Sequence, residues 1–117
     1  MKSLRIEGTK TTPSVILDPN PNNPIFEISG MSISDDLFNF YNPIYIWLEE
    51  YFKNPLPKTI FDFKLEFFNT ASSKYLLDIL IKLEDMKDER HKVKIRWHYP
   101  DDDDDDLSIY ADELILV

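Results

Sequence analysis

Hydrophobic and polar residues alternate most clearly over Thr59–Phe67, where Phe61, Phe63, Leu65 and Phe67 are separated by Asp62, Lys64 and Glu66. A period of two predicts a strand with one apolar and one charged face. The period then changes. Leu76, Leu77, Ile79, Leu80, Leu83 and Met86 recur at helical spacing, which predicts an amphipathic helix. Asn69-Thr70-Ala71-Ser72-Ser73 lies between the two patterns.

The rest of the chain can be read in the same way. Leu4 and Ile6 mark a short first strand ended by Gly8, Thr9–Pro13 a turn, and Ser14–Asp18 a second strand. The Pro/Asn run 19–24 is a dense turn signal, and Ile25–Ser29 is a third strand closed by Gly30. Ser34 or Asp35 is expected to cap a helix whose face is Leu37, Phe40, Tyr41, Ile44, Trp47, Leu48 and Tyr51, running to about Lys53. Asn42-Pro43 could cap a second helix or kink a single one, and one helix with a kink or a short preceding turn is the favoured reading. Asn54–Pro57 is a linker and Asp85–His91 a charged turn. Val93, Ile95 and Trp97 alternate with Lys94, Arg96 and His98 as a further strand. Leu107, Ile109, Tyr110, Leu114 and Ile115 are read as a last helix.

Strand–helix–strand from 59 to 98 implies a right-handed crossover between parallel strands that are neighbours or one strand apart. In–out alternation means that only one sheet face is buried. The expected fold is therefore a two-layer α/β domain, residues 1–117, with a mixed four- to five-stranded sheet and helices mainly on one face. Asp62, Lys64, Glu66, Lys94 and Arg96 would lie on the other face.

Composition adds limits. The 117 residues are 43% hydrophobic and 14% aromatic, enough for a core. The formal charge is −9, but six of the negative charges form the run Asp101–Asp106. This balance disfavours nucleic acid and anionic membrane surfaces as partners. There is no cysteine, which removes disulfides and thiolate metal sites. The N-terminus has no apolar signal core, and no window approaches the roughly 18 apolar residues of a membrane span. A cytoplasmic protein is expected.

The candidate chemistry is sparse. Asn69–Lys74 starts a helix, where unpaired N–H groups and the positive dipole end favour an anion. It reads either as a plain cap or as a phosphorylation or anion site, with more hydroxyls than capping needs. Asp101–Asp106 could hold Ca²⁺ or Mg²⁺, but lacks the glycine and spaced ligands of an EF-hand and reads instead as a solvated, self-repelling loop. His91 and His98 make no metal-ligand pair. The aromatics Phe38, Phe40, Tyr41, Tyr45, Trp47, Tyr51 and Phe52 run nearly all round their helix, so Tyr45 and Phe52 are candidates for an exposed partner surface. With only Gly8 and Gly30 there is no phosphate-cradling glycine loop, and no nucleophile elbow or defensible carboxylate dyad is present. No enzyme and no cofactor is expected.

Five groups of residues together resemble one family. They are Leu4-x-Ile6-x-Gly8-Thr9 with Thr12-Pro13; Gly30-x-Ser32; Phe40-Tyr41-x-Pro43 with Trp47-Leu48; Phe68-Asn69-Thr70-x-Ser72-Ser73-Lys74; and Arg96-Trp97-His98-Tyr99 before an acidic loop. In this order and spacing the chain resembles the SiaC family of bacterial regulatory phosphoproteins. The resemblance implies a STAS-like, non-catalytic partner switch akin to anti-sigma-factor antagonists. It implies a serine/threonine kinase that phosphorylates the threonine of the Asn-Thr motif, here Thr70, and a PP2C-type phosphatase that reverses this. It also implies a diguanylate cyclase bound by the unphosphorylated form, with biofilm formation as the output. Asn69, Ser72, Ser73 and Lys74 are then expected to contact the partner. The alternative function is a small-ligand or divalent-metal domain built on Asp101–Asp106.

Overall fold

The computed structural model describes residues 1–100 and 109–116. Along it run β1 (Leu4–Ile6), β2 (Ser14–Asp18), β3 (Ile25–Ser32), α1 (Leu37–Phe52), β4 (Lys58–Phe68), α2 (Thr70–Met86), β5 (Lys92–Pro100) and β6 (Ile109–Leu116). The six strands form one sheet in strict chain order. β1/β2, β2/β3 and β5/β6 pair antiparallel, while β3/β4 and β4/β5 pair parallel.

This order explains the layering. Each parallel step needs a crossover, supplied first by α1 and then by α2. Both steps advance the same way across the sheet, so crossovers of the usual right hand lay both helices on one face. β4 and β5 are direct parallel neighbours, in register as Phe61↔Ile95 and Phe63↔Trp97. The two-layer mixed α/β architecture expected from the alternation is the one observed.

Burial follows the periods. Phe61, Phe63, Leu65, Val93 and Ile95 point into the core, together with Val15, Leu17, Phe26 and Ile28 from the antiparallel strands. Leu76, Ile79, Leu83 and Met86 cover them from α2, as do Tyr41, Ile44, Leu48 and Tyr51 from α1. Each such side chain contributes about 1.5–3 kcal/mol on burial. The opposite sheet face is polar. Asp62 receives Arg96 Nε at 2.7 Å and Nη2 at 3.0 Å and lies 2.7 Å from His98 Nε2. Lys64 pairs with Glu27 at 2.7 Å. Burial alone would raise the Asp62 carboxyl, but the hydrogen bonds and charges of Arg96 and His98 hold it below its ordinary value.

Four expectations are corrected. Residues 109–116 form a strand, not a helix, which takes the sheet to six strands. β5 would otherwise end the sheet with an open edge, and the register sets Leu114 and Leu116 opposite the buried Ile95 and Val93. β3 does not close at Gly30. It passes through a bulge between Gly30 and Met31, with Gly30 at φ 102°, and reaches Ser32. Only glycine adopts that φ without strain. α1 is one helix that contains Pro43, as expected, but its N-cap position is Asp36, which makes no capping side-chain bond, and not Ser34 or Asp35. Ser34 Oγ instead accepts the Asp36 N–H at 3.1 Å. Finally, Leu77 does not join the buried face of α2; it is 55% exposed.

No helix among the described residues is long and apolar enough to cross a membrane.

Candidate functional site

β4 hands over to α2 through a single residue. Asn69 has extended backbone (φ −84°, ψ 174°), and its side-chain oxygen accepts the Ser72 N–H at 2.8 Å. This is the N-cap geometry expected of asparagine, and it satisfies one of the free donors of the first turn. The Ser73 N–H closes that turn on the Asn69 carbonyl at 3.1 Å.

The junction is also tied sideways to the end of β3. The Ser32 carbonyl accepts the Asn69 N–H at 3.1 Å and the Ser72 hydroxyl at 2.6 Å. Ser32 Oγ donates to Ser72 Oγ at 2.8 Å and lies 2.7 Å from the Tyr41 hydroxyl of α1. Each hydroxyl has one proton. The Ser72 proton goes to the Ser32 carbonyl and the Ser32 proton to Ser72, so Tyr41 donates to Ser32. The result is a directed chain, Tyr41 to Ser32 to Ser72 to the Ser32 carbonyl. Ser32, Tyr41 and Ser72 are all 0% exposed. Burial raises the Tyr41 phenol above its ordinary pKa, against a smaller lowering by the Ser32 bond. Among the described residues no buried side-chain nitrogen or oxygen lacks a partner.

The expected site residues therefore separate. Thr70 is exposed, and among the described residues its hydroxyl has no hydrogen-bond partner. Ala71 and Lys74 are also exposed. Ser73 is half-buried, with its hydroxyl on the Thr70 carbonyl. Asn69 is half-buried and occupied as the cap. Ser72, expected among the partner contacts, is buried and fully engaged, so direct contact with a docked protein is excluded in this conformation.

Thr70, Lys74, Leu77 and Ile81 are spaced to share one face of α2. Leu77 and Ile81 remain 55% and 47% exposed. On α1 the exposed apolar residues are Phe38 and Ile46, at 63% and 59%. Tyr45 and Phe52, expected to be exposed, are packed against the core. The Tyr45 hydroxyl donates to the Tyr75 carbonyl at 2.8 Å, and burial, reinforced by Asp78 and the neighbouring tyrosines, pushes its pKa up. Sequence reasoning missed Ser32 and Tyr41 as members of the junction. Ser32 had entered through the family resemblance, and Tyr41 through that resemblance and the apolar face of its helix.

The histidines are bound to carboxylates. His91 sits 3.0 Å from Asp88, which also accepts the Arg90 and His91 amide protons; these bonds hold the Asp88 carboxyl below its ordinary value. No group of three or more metal-ligating side chains occurs among the described residues. The Asp101–Asp106 run lies outside them.

With this geometry in hand, the comparisons with known proteins are specific. Residues 6–114 match the family described as SiaC family regulatory phosphoprotein. An uncharacterized protein of Pseudomonas aeruginosa (strain UCBPP-PA14) is 28% identical over 99 residues, covering 85% of this chain and 77% of that protein. The crystal structure of apo-SiaC from Pseudomonas aeruginosa superposes with a TM-score of 0.75 at 29% identity, over 85% of this chain and 80% of that one. A match of TM-score 0.73, again at 29% identity, covers 82% of this chain and 77% of a chain in the crystal structure of the diguanylate cyclase SiaD in complex with its activator SiaC.

Proposed function

Because the chain belongs to the SiaC family of regulatory phosphoproteins, we propose that it is a partner switch whose docking is set by phosphate on Thr70. It is a non-enzymatic, cytoplasmic protein whose partner is a diguanylate cyclase. A serine/threonine kinase adds the phosphate and a PP2C-type phosphatase removes it. Support for the partner comes from the related SiaC, which is the activator of a diguanylate cyclase and crystallised with it.

The observation that carries the reading is the inequality of the hydroxyls. Ser72 is buried in a hydrogen-bonded chain and Ser73 is turned back onto the Thr70 carbonyl, whereas the Thr70 hydroxyl is exposed and unengaged. A kinase moving the γ-phosphoryl of ATP to Thr70 Oγ1 forms the O–P bond as the β–γ bond breaks and ADP leaves; on the protein it displaces only the hydroxyl proton and breaks no contact of the fold. The product places about 1.5 to 2 negative charges at the positive end of the α2 dipole. The helix tolerates this charge. A protein docked over Thr70 and Lys74 would have to bury it or repel it, and is released.

Intact-mass and peptide mass spectrometry on protein from its own host tests the acceptor, with phosphate expected on Thr70. Pull-downs then compare Thr70→Ala with Thr70→Asp. Thr70→Ala is expected to fold, resist phosphorylation and retain the cyclase, and Thr70→Asp to lose it. Full cyclase retention by Thr70→Asp, or phosphate found only on other residues, would defeat the reading.

A further inference from the structure

We infer that Tyr41, Ser32 and Ser72 are positioning residues: their hydroxyl chain fixes the first turn of α2 and decides which hydroxyl of Asn69–Lys74 faces solvent. This rests on the reading of Thr70 as the acceptor.

The geometry is more than is needed to satisfy three buried oxygens. Asn69 alone would cap α2, since its side chain already takes the Ser72 N–H. Capping sets where the helix starts, but does not fix the rotation of its first turn against the sheet. Ser32 does that, with its carbonyl and its hydroxyl together. The carbonyl holds Asn69 by the Asn69 amide and Ser72 by the Ser72 hydroxyl, and so grips two successive corners of the same turn. Ser32 Oγ and the Tyr41 hydroxyl extend the grip to α1, 2.8 Å and 2.7 Å along the chain. The Tyr41 ring is held in turn by stacking on Tyr75, with centroids 5.2 Å apart. Residues from β3, the linking residue and both helices thus meet at one point. With Ser72 turned inward, the 100° step per residue of an α-helix leaves Thr70 turned outward. A first turn free to roll would bring Ser72 toward solvent and Thr70 away from it.

Amide hydrogen exchange on the full chain tests this. Ser72→Ala removes the link from α2, and the double variant Ser32→Ala/Tyr41→Phe removes the hydroxyl half of the grip, leaving Ser72 on the Ser32 carbonyl alone and no Tyr41 hydroxyl buried and unpaired. In both, exchange at Asn69, Ser72 and Ser73 is expected to speed up on the order of tenfold, with Leu83 and Met86 unchanged. A uniform rise along α2 would reveal ordinary loss of stability, and no rise would show that Asn69 alone fixes the turn; either overturns the inference. The second readout is where phosphate sits on protein from its own host. Thr70 alone is expected in the wild type and a share on Ser72 in the double variant; phosphate still confined to Thr70 in the double variant would overturn the claim that the chain chooses the hydroxyl. A wild type without phosphate on Thr70 defeats the acceptor reading instead, and the exchange rates still decide whether these residues position the turn.

Discussion

Two strand-to-helix junctions lie at the same end of the sheet, because β3 and β4 are parallel neighbours and each leads into a helix. They are built differently. Between β3 and α1 the chain spends Ile33–Asp36, and α1 begins with no side-chain cap. Its side-chain bonds are short-range, the Asp36 N–H to the Ser34 hydroxyl and the Asn39 side-chain amide to the Asp36 carboxylate, and the Ile33 N–H reaches the Thr11 carbonyl at 2.9 Å. Between β4 and α2 a single residue makes the turn. Asn69 caps the helix, and Ser72 anchors it to β3 and through Ser32 to Tyr41. One junction is held by local side-chain bonds and a backbone bond to the turn after β1; the other is tied through side chains to β3 and to both helices. The fixed junction carries the exposed threonine. Charge added to a partly exposed four-residue loop has room to turn to solvent, whereas charge added to a one-residue turn anchored by side chains stays where it is put. That is what a surface read by a docking protein requires.

The sharpest way to break this contrast is to place a carboxylate inside each junction. Ser72→Asp buries a charge where Ser32 offers one donor and one carbonyl, and is expected to cost about 3 kcal/mol or more. Ser34→Asp preserves an acceptor for the Asp36 amide and is expected within about 0.5 kcal/mol of wild type. Urea unfolding of the two variants measures the difference. Equal costs would mean that the junctions are equally tolerant and that the distinction drawn above is wrong.

A smaller effect separates the two cap positions. Asn69→Ala removes an acceptor that the Ser72 amide uses, and is expected to destabilise by about 1 kcal/mol. Asp36→Ala removes no cap bond, only the contact with Asn39, and is expected to be within about 0.5 kcal/mol of wild type. The same unfolding experiment reads both.

Much of this contrast was legible from residue types, and some was not. Alternation around Phe61, Phe63, Val93 and Ile95 identified the central strands, because burial on one face leaves a period of two. Asn69 announced the start of α2, because asparagine is a strong cap. Residues 109–116 misled, because apolar spacing in a short segment is compatible with a helix until a neighbouring strand offers an edge. Leu77 misled because an apolar residue on the solvent face of a helix leaves no mark in the pattern. The Ser32–Ser72 link joins residues 40 apart, and no local period encodes such a contact. The cluster 69–74 advertised hydroxyls, and the resemblance to the family pointed to Thr70 as the expected acceptor. Neither could say that Ser72 is sealed and Thr70 open, since that depends on the rotation of α2 against β3.

The smallest effect tests the fixed junction most cleanly, because it should have the opposite sign. Thr70→Asp adds charge at the exposed first position of α2, near the positive end of the dipole and one turn before Lys74. Both interactions favour the anion, so the variant is expected to be more stable than wild type by about 0.3–1 kcal/mol at low salt. The aspartate's folded-state pKa would be lowered by the same interactions. The gain is therefore present above the unfolded carboxylate pKa of about 3.9 and is lost as pH falls through the lower folded value. It should also shrink as salt rises, since the site is exposed and screened. Thr70→Asn, similar in shape but uncharged, should show none of this dependence. If Thr70→Asp is destabilising at every pH, the first turn of α2 is not held as the hydrogen bonds around Asn69 and Ser72 describe, and phosphate on Thr70 would disturb the fold as well as the partner.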